Sequence, residues 1–200
     1  MTTSRLGQEV VSRATRLTAR IAIAESLTGG MLTDAIVSIP GASRVLSGGI
    51  VAYDTSLKRS LLGVDAEILR RQGPVDREVA IQMAAGVRVA CATPRTTSAA
   101  APAEFGIATT GVAGPDPDPQ TGQPAGTVWI AVAWDGGVEC EELACSGDRA
   151  AVREATVVRA LQLLHRVLET VENAAPHRAG PDSRYAGGET VTADRGDPVP

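Results

Sequence analysis

Aromatic side chains are nearly absent from this 200-residue chain: two Trp, two Tyr and one Phe make up 2% of it. Single-stranded nucleic acid is held largely by bases stacked on aromatic rings, and duplexes are held by basic surface. A formal net charge of −4 leaves the chain poor in both, so direct nucleic-acid contact is not expected. Cysteine and histidine are scarce too. Cys91, Cys140 and Cys145 are odd in number and lack Cys-x-x-Cys spacing, and two histidines are too few for a typical histidine metal site. The cysteines read as packing residues in a reducing compartment. No run approaches the roughly 18 apolar residues of a membrane span. The opening MTTSRLGQEVVSRATRL has no signal-peptide apolar core, which points to a cytoplasmic protein without membrane contact.

What the chain does have is aliphatic: 44% of it is hydrophobic, so its core must be built from Ala, Val, Leu and Ile. Leu6, Val10, Val11, Ala14 and Leu17 fall near helical spacing and predict an amphipathic first helix. Residues 20–24 form a short apolar run that reads as a strand, Glu25 to Gly30 as a turn, and Met31 to Val37 as a helix ended by Pro40 and Gly41. Residues 45–53 read as a second strand. Asp54 or Thr55 caps a short helix through Leu62, and Asp76 caps a longer one from Arg77 to about Cys91. Residues 92–104, rich in Ala, Pro, Thr and Ser, read as a surface loop.

Residues 105–110, 127–134 and 138–144 then read as strands, the last two joined in a hairpin at Gly136-Gly137. A long helix follows from Asp148, with Val152, Ala155, Val158, Leu161, Leu164 and Leu168 on its apolar face. Helices alternating with strands, together with a hairpin, imply an α/β fold: a three-layer α/β/α sandwich on a mixed β-sheet. Residues 1–172 form one domain. Residues 173–200 are almost devoid of apolar side chains and read as a disordered tail.

Three clusters carry possible chemistry. In Ala24-Glu25-Ser26-Leu27-Thr28-Gly29-Gly30 a hydroxyl stands at the end of a strand, before a helix whose free N–H groups and dipole favour negative charge. Ser26 is there either a nucleophile or a helix cap, with Thr28, Gly29 and Gly30 as candidate substrate contacts. A serine needs a base, and neither His165, on the last helix, nor His177, in the tail, is well placed. Lys58 lies one turn beyond the second strand, whose end carries Tyr53. A buried lysine of lowered pKa can serve as the base with the tyrosine assisting; a solvated Lys58 and an edge-packed Tyr53 remain the alternative. The third cluster, Thr109-Thr110-Gly111-Val112-Ala113-Gly114-Pro115, is a strand entering a glycine loop, which is either a ligand-facing backbone at Thr110, Gly111 and Gly114 or a flexible connection. Arg149, in Ser146-Gly147-Asp148-Arg149, offers a guanidinium to a phosphate or forms a surface ion pair.

The ordered series AESLTGG, PGAS, GGIVAY, LLGV, GPV, TTGVAGP, GTVWIAVA and SGDR, from about Arg20 to Leu168, resembles the CinA carboxy-terminal domain family. The resemblance implies an α/β/α amidase that hydrolyses nicotinamide mononucleotide to nicotinic acid mononucleotide and ammonia without a cofactor, and that assembles as a homo-oligomer. It places the family's serine nucleophile on Ser26, its tyrosine on Tyr53, its lysine on Lys58 and its glycine-rich ligand loop on Thr110, Gly111 and Gly114. The loop from Pro115 to Gly122, PDPDPQTG, is stiffer and more acidic than the family's glycine-rich pattern, and residues 92–104 are longer than its usual connection. Two further readings stand beside the amidase: a non-catalytic nucleotide-binding accessory protein of the competence or damage-inducible type, and an amidase for another small amide.

Overall fold

The computed structural model describes residues 2–94 and 99–174; Asn173 and Ala174, the first two residues of the expected disordered tail, belong to the last helix, and the rest of that segment lies outside the described residues, His177 with it. The chain opens with α1 (Thr3–Arg16), whose Thr2 hydroxyl accepts from the Arg5 N–H and whose Leu6, Val10, Val11 and Ala14 are buried at helical spacing. β1 (Ile21–Glu25), α2 (Met31–Val37), a 3-10 turn over Ala42–Arg44, β2 (Leu46–Val51), α3 (Thr55–Leu62), α4 (Ala66–Gln72) and α5 (Arg77–Ala90) follow. Where an irregular loop was expected, β3 (Thr93–Pro94) and β4 (Ala100–Ala101) pair antiparallel. β5 (Phe105–Gly111), β6 (Thr127–Trp134), β7 (Gly137–Ala144) and α6 (Arg149–Ala174) complete the order.

α4 has no counterpart in the sequence-based expectation. Seven residues are too few to display a hydrophobic repeat, and the helix rests on its ends. The Asp65 carboxylate accepts from the N–H groups of Glu67 and Ile68, and Gly73, at φ +77°, terminates it.

The main sheet runs β2-β1-β5-β6-β7, with β2, β1 and β5 parallel and β6 and β7 antiparallel. Alternation along the strands sorts side chains by size. Ile21, Ile23, Ile107, Ile130 and Val132 face α1, α2 and α6, while Ala22, Ala24, Ala108 and Ala131 face α5. Helices thus cover both faces of a mixed sheet, as expected for a three-layer sandwich.

The small face lets α5 sit against the backbone of the sheet, so close packing takes over from bulky rings. A Cβ on Gly106 of β5 would stand 2.0 Å from the Ala84 carbonyl oxygen, and one on Gly86 of α5 would stand 1.8 Å from that of Leu62. Backbone cannot yield to a methyl group as a side-chain tip can. We expect Gly86→Ala to destabilise the domain by about 2 kcal/mol despite alanine's better helix propensity, which calorimetry would register as a Tm lower by about 5 °C.

β1 and β2 are adjacent and parallel, yet the chain leaves them toward opposite faces: β1 leads into α2 on the isoleucine side, β2 into α3, α4 and α5 on the alanine side. Connections that diverge in this way open a crevice at the carboxyl ends of the strands. Ser26 and Ala52-Tyr53 stand at those two ends.

Candidate active site

Ser26 is the first residue past β1. Its N–H donates to the Thr109 carbonyl at 3.0 Å, continuing the parallel pairing with β5 and fixing the residue against the sheet. Lys58 comes from α3. The Asp54 carboxylate caps that helix by accepting from the Ser56 N–H at 2.8 Å, so α3 starts directly after β2 and returns its fourth residue over the strand end. Lys58 Nζ lies 2.9 Å from Ser26 Oγ and 2.7 Å from the Ala52 carbonyl oxygen. Of the two readings of this lysine, the solvated one does not hold, because the residue is 1% exposed. Burial pushes its ammonium down to about 8, opposed only by the charge of Asp54. An amine with that pKa is neutral in an appreciable fraction at physiological pH, and its lone pair then faces a hydroxyl proton.

A cavity of about 390 Å³ opens above this pair, a size suited to a small molecule. Thr110, Gly111 and Gly114 line it, as do Tyr53 and Arg149. The Thr110 hydroxyl donates to the Pro74 carbonyl at 2.6 Å and so ties β5 to the segment before α5. Arg149 donates through Nη1 to the Gly114 carbonyl at 2.9 Å and through Nη2 to the Tyr53 hydroxyl at 2.7 Å. The guanidinium therefore bridges the end of β2 and the glycine loop. Tyr53 differs from its expected position: β2 ends at Val51, the chain turns outward, and the side chain is 57% exposed with its hydroxyl on Arg149, not on Lys58 or Ser26.

One wall of the cavity is the Pro115 to Gly122 loop. The Asp118 carboxylate accepts from the Gln120 and Thr121 N–H groups and the Thr121 hydroxyl, which closes the loop on itself. Gln120 Nε2 donates to the Leu69 and Arg70 carbonyls, anchoring the loop to the last turn of α4. The helix that the sequence did not announce is thus the seat of the acidic loop.

Thr28, Gly29 and Gly30 do not line the cavity. The Thr28 hydroxyl bonds that of Thr109 at 2.8 Å, and the Gly29 N–H donates to the Ser26 carbonyl at 3.2 Å. The start of α2 is occupied from within the protein. Glu25, with no exposed surface, accepts from the N–H groups of Gly30, Leu32 and Thr33 and from the Thr33 hydroxyl. This corrects the expectation that Gly30 faces a ligand, and it also removes Ser26 as cap of that helix. On the other side of the turn, Arg153 of α6 donates through Nε to the Leu27 carbonyl at 2.9 Å and through Nη2 to that of Thr28 at 3.0 Å. Glu25 left a trace in the sequence, a carboxylate ending an apolar run that must find buried donors. Arg153, far along the chain, left none.

Among the described residues no group of three or more His, Cys, Asp or Glu side chains is placed to hold a metal ion. Among them, too, no helix is long and apolar enough to cross a membrane.

Comparison with known proteins bears on this arrangement. A model of the CinA C-terminal domain matches residues 3–168. A CinA-like protein of Frankia casuarinae is 42% identical over 156 residues, 78% of this chain and 33% of that protein. A putative competence-damage inducible protein of Desulforudis audaxviator is 40% identical over 148 residues, 74% of this chain and 33% of its own length. The chain spans about a third of the length of such curated relatives. Among solved structures, the competence/damage inducible protein CihA from Agrobacterium tumefaciens superposes with a TM-score of 0.73 at 33% identity, covering 84% of this chain and 95% of that one. A CinA superfamily protein from Klebsiella pneumoniae superposes with a TM-score of 0.76 at 29% identity over 85% and 99%.

Proposed function

The chain belongs to the CinA C-terminal domain family, and we propose that it is a nicotinamide-nucleotide amidase, hydrolysing the carboxamide of nicotinamide mononucleotide to nicotinic acid mononucleotide and ammonia. The observation that carries this reading is the buried contact between Lys58 Nζ and Ser26 Oγ at the floor of the cavity. Neutral Lys58 takes the Ser26 proton as Oγ attacks the amide carbon, giving a tetrahedral oxyanion. Its collapse breaks the C–N bond, and the departing nitrogen takes the proton back from Lys58 as ammonia leaves. Water, deprotonated by Lys58 in turn, releases the acid and restores the hydroxyl.

A nucleotide-binding module would use the same cavity and glycine loop. It would gain nothing from a buried lysine of lowered pKa held against a serine, an arrangement that costs stability and serves proton transfer. The discriminating assay is release of ammonia and nicotinic acid mononucleotide by the purified protein, with free nicotinamide and the dinucleotide run in parallel. Binding of the mononucleotide without turnover would favour the module, and turnover of a different amide alone would move the substrate. Self-association in the cytoplasm belongs to the same reading and is checked by analytical ultracentrifugation.

Within this reading Arg149 takes the substrate phosphate, exchanging its bonds to Tyr53 and Gly114 for phosphate oxygens. Arg149→Gln is expected to raise KM for the mononucleotide by about 10-fold or more with kcat within about twofold, since a charge-assisted bond of about 2 kcal/mol is lost equally in ground and transition states. The corresponding nucleoside, which has no phosphate, should show no such change. Equal losses on both substrates would remove Arg149 from phosphate recognition.

A further inference from the structure

If Ser26 attacks an amide, an oxyanion forms beside it, and the α2 start that follows Ser26 is already filled by Glu25. The Gly29 and Gly30 N–H groups are both committed, to the Ser26 carbonyl and to Glu25. The charge must be met elsewhere. Leu27 lines the cavity next to Ser26 and is 3% exposed, yet among the described residues its N–H donates to no acceptor. A buried backbone donor without a partner is rare and calls for a ligand atom or a water.

The orientation of that N–H is set by its own peptide unit. In a trans peptide the C=O and the following N–H point to opposite sides. The Ser26 carbonyl is turned into the 26–29 turn by the Gly29 N–H, so the Leu27 N–H is directed out of the turn. The next two carbonyls, those of Leu27 and Thr28, are both held by the Arg153 guanidinium, which keeps the turn from rotating. The Thr28 N–H also meets no acceptor among the described residues but lies one residue further from the hydroxyl, on a residue that does not line the cavity.

We propose that the Leu27 backbone N–H is the oxyanion donor of this site and that Arg153 is the positioning residue that holds it there. The proposal rests on Ser26 acting as nucleophile but not on the identity of the amide. It is tested by removing the single N–H, with Leu27 replaced by its α-hydroxy acid through semisynthesis so that an ester stands in place of the amide. Arg153→Met and Arg153→Lys accompany it.

Two readouts run in parallel: hydrolysis of nicotinamide mononucleotide, and labelling of Ser26 by a fluorophosphonate. In the labelling Ser26 Oγ bonds to phosphorus, fluoride leaves, Lys58 takes the proton, and the phosphoryl oxygen occupies the oxyanion position. The ester protein is expected to lose about 100-fold in kcat and in labelling rate, with KM within about threefold. Arg153→Met should lose about 10-fold or more in both, with the pH midpoint of labelling unmoved, and Arg153→Lys should recover part of the loss by donating to one of the two carbonyls. Full labelling by the ester protein overturns the proposal. A wild type that labels but hydrolyses no mononucleotide, with labelling lost in the ester protein, overturns the substrate assignment and leaves the Leu27 donor standing.

Discussion

Ser26→Ala is expected to lower the turnover of nicotinamide mononucleotide by at least about 10³-fold while leaving nucleotide affinity within about threefold of wild type. In the proposed mechanism the hydroxyl forms the covalent bond, while the glycine loop and Arg149 line the rest of the cavity. Stability should change by less than about 1 kcal/mol, because the substitution deletes one oxygen from a position already shaped for a small side chain, and the Ser26 N–H bond to Thr109 is retained. Steady-state ammonia release together with calorimetric titration of the mononucleotide checks both parts. The size of the loss is informative. Residual turnover only about 10-fold below wild type would mean that Lys58 activates a water directly and that no acyl-enzyme forms. Complete loss, with hydroxylamine trapping an acyl group from wild type alone, would place the covalent step on Ser26.

The sequence disclosed the elements of this site better than their relations. The order strand, turn, helix around Ser26 was legible because an apolar run, a Gly-Gly pair and a helical pattern are local signals. The same holds for the Asp54 and Asp76 caps, both found in place. What a side chain meets across the fold was not legible. That Lys58 is buried follows from β1 and β2 being neighbours, a pairing between residues more than twenty apart, which no local pattern around Lys58 encodes.

The same non-local dependence holds at the oxyanion. The helix start after Ser26 looked vacant because the residue filling it, Glu25, precedes it by one strand position and points inward only in the folded sheet. The sequence pairs Tyr53 with Lys58 because both lie near the end of β2. Strand ends are the least certain feature of a sequence, and two residues of difference turned its hydroxyl to Arg149. The anchoring of the acidic loop by Gln120 required α4, which is too short to announce itself.

Lys58→Met is expected to remove activity and raise stability together, a pairing that separates a catalytic lysine from a structural one. In the folded chain the amine titrates at about 8 and its ordinary value is 10.5. Between those values the unfolded chain binds more protons than the folded one, so stability rises with pH across that window and is at its lower, flat level below about 8. The burial cost at neutral pH is on the order of 3 kcal/mol. Methionine removes that cost while giving up the bonds to Ser26 and the Ala52 carbonyl, together about 1–2 kcal/mol, which leaves a net gain of about 1–2 kcal/mol and a Tm higher by about 4 °C at pH 7. The rise in stability from pH 8 to 10.5 should vanish with it.

Activity moves the opposite way. The wild-type kcat/KM should climb tenfold per pH unit up to about 8 and then level if, as proposed, the neutral amine is the base in the free enzyme. Lys58→Met should lie about 10³-fold below the wild-type plateau above pH 8 and lose the tenfold-per-unit climb below it. Lys58→Arg should be as inactive and less stable, since a guanidinium stays charged and does not fit a pocket cut for one ammonium. Denaturant titrations from pH 6 to 10.5 beside the pH–rate profile measure both. A methionine variant less stable than wild type at pH 7 would show that the buried charge is held by the fold, and Lys58 would then be a structural post under the cavity instead of its base.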